Sequence, residues 1–233
     1  MKIGLFSIPD IKIGKHNVKD ERLDQVDRFV NAKKKTYVQV EVVGEDSLRE
    51  ADVVLILKDS RSDIILMDLE FVESRLGRCQ QDEEKVLLNK LKSILEKEEF
   101  IHAAGLTPQE LEAISGYGLI TTRPVVVAEK EEMENLNRLL ARAVKEGGYI
   151  SFFTAGEKES RAWLIKKGIT AWEAAGSIHS DIQKGFIRAE VISFNDYIQA
   201  GGEAAAKQAG KLRLEQKDYV MQDADLVNIR FNK

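Results

Sequence analysis

The chain has 233 residues, 43% hydrophobic and 32% charged, enough apolar content for one large core or two modest ones and too much for a disordered chain. A net charge of −4 and a pI near 5.6 argue against a wholly basic nucleic-acid binder, while local basic patches remain compatible with an acidic chain. Cys79 is the single cysteine, which excludes an internal disulfide and fits a reducing compartment.

In chain order, the opening run Met1-Lys2-Ile3-Gly4-Leu5-Phe6 reads as a short strand. It meets Pro9 and Asp10 before reaching the length of a signal-peptide core, and no later apolar run approaches about 18 residues, so a cytoplasmic protein without a membrane span is expected. Valine-rich runs at 38–43, 53–57 and 125–128 predict inner strands of a mostly parallel sheet. Between the second and third, Ile65, Leu69, Val72 and Leu76 recur at helical spacing, and Leu87 or Leu88, Leu91 and Ile94 or Leu95 do so again beyond Gly77 and a polar run at 80–84. Thr107-Pro108-Gln109-Glu110 is a capping box with proline at the first helical position.

A helix over 131–146, apolar at Leu136, Leu139, Leu140 and Ala143, stops at Gly147-Gly148, where the domain boundary is placed. Beyond it come strands at 149–153 and about 162–165, a second capping box at Thr170-Ala171-Trp172-Glu173, and a strand at 187–193. A Gly201-Gly202 break, a helix over 203–209 and late strands at 219–221 and 226–231 complete the chain. That order is a small mixed β-grasp pattern. Residues 150–233 carry 12 basic against 11 acidic side chains, so the acidity belongs to 1–149.

From Phe152 onward the sequence resembles, almost without interruption, the C-terminal TGS domain of the YchF/Obg-like ATPase family. Upstream, Val18-Lys19-Asp20-Glu21-Arg22-Leu23-Asp24 resembles the segment after that family's first switch region. Met67-Asp68-Leu69-Glu70-Phe71-Val72-Glu73 resembles its helical insert, and Arg123-Pro124-Val125 the strand before its base-recognition loop. The resemblance implies an α/β chain: a reduced P-loop-NTPase-like parallel sheet over 1–148 with a helical insert at about 62–118, then a β-grasp (ubiquitin-like) TGS domain over 149–233. It also implies a ribosome or structured-RNA partner, with a protein partner as a further option.

The family's nucleotide motifs are not matched. A P-loop needs two glycines, a lysine and a magnesium-binding hydroxyl. The Gly-Lys pair near the start of the chain, Gly14-Lys15, has Pro9 five positions earlier and His16 where the hydroxyl belongs. The expected Asp-x-x-Gly reads Gly44-Glu45-Asp46-Ser47, and the Asn-x-x-Glu motif reads Glu129-Lys130-Glu131-Glu132. The expectation is therefore an interaction protein that is not an enzyme, with no catalytic or nucleotide-binding residue and no cofactor. Residual ATP or GTP binding with slow hydrolysis is the alternative, and a structural or dimerising module a third reading.

Lys184, Arg188, Lys211, Arg213 and Lys217 are the candidate RNA- or partner-binding cations, with Trp172 as a stacking surface; an ordinary solvated face is the competing reading. Trp163 alternates with polar residues and reads as core. Ser177, His179 and Asp181 match a hydrolytic set only by residue type, and their close spacing favours a capping role. His16, His102 and His179 are scattered, so no metal site is expected.

Overall fold

A computed structural model describes residues 1–232. Its elements in chain order are β1 (Lys2–Phe6), β2 (Gly14–Val18), α1 (Glu21–Val30), β3 (Lys35–Thr36), β4 (Val38–Val43), β5 (Val53–Leu57), α2 (Arg61–Arg78), α3 (Asp82–Glu96), α4 (Pro108–Ile114), β6 (Val125–Ala128) and α5 (Leu136–Glu146). There follow β7 (Tyr149–Ala155), β8 (Ser160–Lys166), α6 (Ala171–Ile178), α7 (Ser180–Lys184), β9 (Phe186–Ile192), α8 (Phe194–Ala200), α9 (Glu203–Gln208), β10 (Arg213–Glu215) and β11 (Leu226–Phe231). Two compact units divide this mixed α/β chain. Met1–His16 and Val40–Gly147 form one, and Asn17–Gln39 with everything from Gly148 onward forms the other. The expected first domain, continuous over 1–148, is thus interrupted, because the α1 segment packs with the C-terminal unit.

In the first unit the sheet order is β2-β4-β1-β5-β6, with β1 parallel to both β4 (Ile3↔Val42) and β5 (Ile3↔Val53) and β5 parallel to β6 (Val54↔Val125). Val53, Val54, Leu55 and Ile56 are fully buried, which is why β5 is apolar without alternation. Gly4 is required by close approach: a Cβ there would lie 2.7 Å from the Leu48 side chain. Helices α2 and α3 pack through Ile64, Val72, Leu88, Leu91 and Leu95. Asp68, buried in α2, accepts the backbone N–H groups of Ile120 (2.9 Å) and Thr121 (2.7 Å), and burial raises its pKa despite those bonds. At the far end of the helical pair Glu84 accepts from Arg75 Nε (2.7 Å) and Tyr117 Oη (2.6 Å), and these bonds pull its carboxyl down to about 2.

The second unit's sheet runs β10-β9-β11-β7-β8-β3. The β7–β8 hairpin pairs from Tyr149↔Lys166 to Ala155↔Ser160, β11 is antiparallel to β9, and β11 is parallel to β7 at Leu226↔Phe153. Phe152, Ile165, Val191 and Val227 pack with Ala171, Ala174 and Ala175 of α6, whose small side chains let the helix approach the sheet. Helix α1 buries Leu23 and Val26 completely. Its Arg22 donates to Asp20 (Nη2–Oδ2 2.8 Å) and to Asp223 (Nη1–Oδ2 2.6 Å), while Asp223 also accepts the Ser151 N–H at 3.1 Å. The guanidinium lies 5.8 Å from the centre of the Phe153 ring.

Strands β4, β5, β6 and β11 coincide with their expected runs, and both capping boxes form. Residues 219–221 do not build a strand; only an isolated bridge, Thr170↔Val220, forms there. The helix expected over 131–146 begins at Leu136, because Asn135 leaves helical dihedrals and its side chain caps the Arg138 N–H. Residues 130–135 make a 3-10 turn instead.

Arg22→Ala removes bonds to two carboxylates from a partly exposed site, so a loss of about 1–2 kcal/mol is expected, read from urea unfolding by the fluorescence of Trp163 and Trp172. Glu84 makes a separate pH-dependent contribution. Its folded pKa lies below the ordinary 4.5, so its stabilisation is present above that value and is lost as pH falls towards about 2. Glu84→Gln is therefore expected to lower the thermal midpoint at pH 7 and to match the parent near pH 2.

Candidate functional site

In the first unit the chain leaves β1 towards β4 on one side of the sheet and leaves β5 towards β6 on the other. The carboxyl end of β1 therefore lies at a topological switch point, where open α/β sheets bind ligands. A cleft of about 610 Å³ lies there, walled by Leu5, Ile8, Pro9, Ile11 and Ile13 and bordered by Ser7, Lys12, Gly44 and Glu45. Ser7 turns the chain with φ of +54°, and its N–H donates to Glu45 Oε1 at 2.8 Å. The amide best placed to meet an anion at this strand end is thus committed to a carboxylate, and Pro9 has no N–H to add. Lys12 is exposed at the rim and is the one cation lining the cleft among the described residues. These residues fit an apolar or ring-shaped group better than a triphosphate.

The three motif positions have other structures. Gly14-Lys15 opens the edge strand β2 instead of joining a strand to a helix, and Glu45-Asp46-Ser47 starts a 3-10 turn over Glu45–Glu50. At the ends of the neighbouring strands β5 and β6, Lys58 pairs with Glu129 (2.7 Å) and Lys130 with Asp59 (3.1 Å). Opposite-charge doublets, Lys-Asp after one strand and Glu-Lys after its neighbour, are a sequence signal for this clasp that motif reading passes over. Among the described residues no group of three His, Cys, Asp or Glu side chains is disposed to hold a metal ion.

In the second unit Ala171 N donates to Tyr219 O (2.8 Å) and Trp172 N to Lys217 O (3.2 Å). These bonds bring three of the six candidate residues into one neighbourhood: Trp172, 40% exposed, Lys217, and Arg213 through its stacking on the Tyr219 ring at 5.2 Å. Arg213 Nη2 donates to Tyr219 Oη at 3.0 Å, and burial together with the bond to Asp225 pushes the Tyr219 phenol up to about 12. Lys211 pairs with Asp196 at 3.0 Å. Arg188 stands across from Arg230 in the β9–β11 register, and Lys184 ends α7. The five cations therefore do not form one unpaired face: Lys184, Arg188 and Lys217 are exposed without an ion pair among the described residues, whereas Lys211 and Arg213 are engaged. Trp163 stacks on Phe152 at 6.3 Å under Arg161, and His179 caps α7 by accepting the Asp181 N–H.

Comparison with known proteins places the fold and the sequence together. The family model YchF-GTPase_C, described as a protein of unknown function (DUF933), matches residues 149–232. The ribosome-binding ATPase YchF of Haemophilus influenzae is 32% identical over 256 residues, covering 83% of this chain and 69% of the relative. The chain belongs to the YchF family. The YchF of Pasteurella multocida is 34% identical over 73% of this chain and 64% of its own length, and that of Escherichia coli O157:H7 is 52% identical over 101 residues. The chain thus spans about two thirds of its full-length relatives. The solved Schizosaccharomyces pombe YchF GTPase matches with a TM-score of 0.79 at 19% identity, covering 99% of this chain and 97% of that one, a likeness of fold.

These findings correct one expectation. The missing motifs argued that the chain is not an enzyme, whereas the family members it matches are named ATPases and a GTPase, which points to a nucleotide hydrolase. Motif loss removed the usual phosphate-binding residues from the sequence without showing what replaces them. Substituting Glu45→Gln removes the charge that the Ser7 amide donates to, and about three-fold faster hydrogen exchange at the Ser7 amide is expected than in the parent.

Proposed function

We propose that this YchF-family chain is a translation-linked, ribosome-associated protein that contacts ribosomal RNA through its second unit and turns over ATP or GTP slowly. The observation that carries the reading is the family match over 149–232, on relatives named ribosome-binding ATPases. The second unit's strand order supports its reading as a β-grasp TGS domain, with the β7–β8 hairpin, a parallel last strand and β9 beside it. Trp172 beside Lys217 offers an indole face for a base next to a cation for a phosphate, the pairing by which single-stranded nucleic acid is held. The names of the relatives support hydrolysis. The Ser7–Glu45 bond and the two ion pairs at the neighbouring strand ends support its being slow, since they occupy the places where phosphate and base would be held.

Sedimentation with purified ribosomes through a sucrose cushion tests the first part. The chain is expected in the pellet at low salt and to be lost steadily as salt rises, with Trp172→Ala combined with Lys217→Glu weakening association about ten-fold. A chain that stays in the supernatant at every salt concentration contradicts it. For the second part, phosphate release in the same samples should exceed the buffer rate yet fall below that of a full-length relative; release at the buffer rate contradicts hydrolysis.

A further inference from the structure

The second unit contains a break in its own sheet. Strand β11 pairs with β9 along its whole length, yet it pairs with β7 at Leu226↔Phe153 alone. The register can be followed through the backbone bonds. Ala224 N donates to Ser151 O (2.7 Å) and Phe153 N to Asp225 O (2.8 Å), while Asn232 N donates to Gly185 O on the β9 side. Because backbone groups alternate along a strand, Asp225, Val227 and Ile229 direct theirs towards β7, and Leu226, Asn228 and Arg230 towards β9. Beyond Leu226 the two strands part. No further β7–β11 pair follows Leu226↔Phe153 among the described residues, and Ile229 and Ala155 stand on the two facing edges.

A cleft of about 400 Å³ occupies the gap, within the range of ligand pockets. Ile178 and Ile182 line it from the α6–α7 turn, and Tyr197 lines it from α8. Tyr197 is 1% exposed, packs edge-on against Phe29 at 5.8 Å, and has no hydrogen-bond partner for its hydroxyl among the described residues. The hydroxyl is not one of the fully buried polar atoms left without a partner, so it is available to a group that enters the cleft. Among the described residues Glu159, Glu190 and Glu203 line the cleft and no lysine, arginine or histidine does; Glu159 pairs with Lys34 (3.1 Å) and Glu190 with Arg230 (3.0 Å), which leaves Glu203 exposed without an ion pair.

We propose that the cleft between β7 and β11 is a peptide-binding site, which takes an extended, basic segment of a partner protein as an added strand along β11. The segment's backbone pairs with Ile229, an apolar side chain meets Ile178 and Ile182, a polar group bonds the Tyr197 hydroxyl, and a basic side chain reaches Glu203. Strand addition of this kind draws affinity from main-chain bonds and specificity from alternate side-chain pockets. The inference stands apart from the nucleotide and ribosome readings, since it uses none of their residues.

The test uses the full chain and a fluorescein-labelled hexapeptide of alternating lysine and valine. Saturable binding by anisotropy is expected, together with slower hydrogen exchange at the Ile229 amide. Tyr197→Phe, which keeps the ring against Phe29, should weaken binding about five-fold, and Glu203→Gln about three-fold. A glutamate-valine peptide should not compete. The proposal is overturned by any of four results: no saturable binding, binding that leaves Ile229 exchange unchanged, parental affinity in both variants, or equal competition by the acidic peptide. It is also overturned if the Ile229 amide is already protected in a chain that sediments as a dimer, because a second copy then fills the cleft.

Discussion

Arg22 ties the α1 segment into the second unit. Its guanidinium bonds Asp20 at the start of its own helix and Asp223 in the loop before β11, and Asp223 in turn accepts the Ser151 N–H of β7. One side chain therefore ties a helix near the start of the chain to strand β7 and to the loop before β11. Leu23 and Val26, fully buried on the same helix, supply the apolar area that makes the attachment more than an ion pair. Lys35 continues the seam through Asp24 at 2.7 Å and Asp27 at 3.3 Å, and β3 closes it by pairing with β8.

With that segment assigned, each unit has its own logic. The first has buried parallel strands whose carboxyl ends carry a Ser7–Glu45 bond and two Lys–carboxylate ion pairs. The second keeps a compact sheet whose small alanines admit α6, and it displays its aromatic and basic groups where the 217–220 turn meets the start of that helix. Family membership rests on a relative 32% identical over 83% of this chain and 69% of its own length; the family model matches 149–232, and the solved relative shows the shared fold.

Much of this was legible in the sequence, because apolar runs with no alternation and capping boxes are local signals. Val53 to Leu57 announces a strand buried on both faces, and Thr107 and Thr170 announce helix starts through reciprocal bonds with Glu110 and Glu173. The assignment of α1 was not legible, since Asp20 and Arg22 gain their meaning from Asp223, 201 residues from Arg22. The neutralisation of Lys211 and Arg213 depends likewise on Asp196 and Asp225, brought near by the fold. The motif positions were read correctly as residues and too broadly as function: three missing motifs describe which atoms are gone, and relatives named as hydrolases set the class of chemistry to be sought.

The second unit, with its α1 segment, carries the contact with the translation machinery in this reading. Hydroxyl-radical footprinting of the full chain, alone and bound to ribosomes, tests that most directly. Protection centred on Trp172 and residues 213–220 is the predicted result; protection confined to 40–147, with Trp172 as reactive as in the unbound chain, would contradict it.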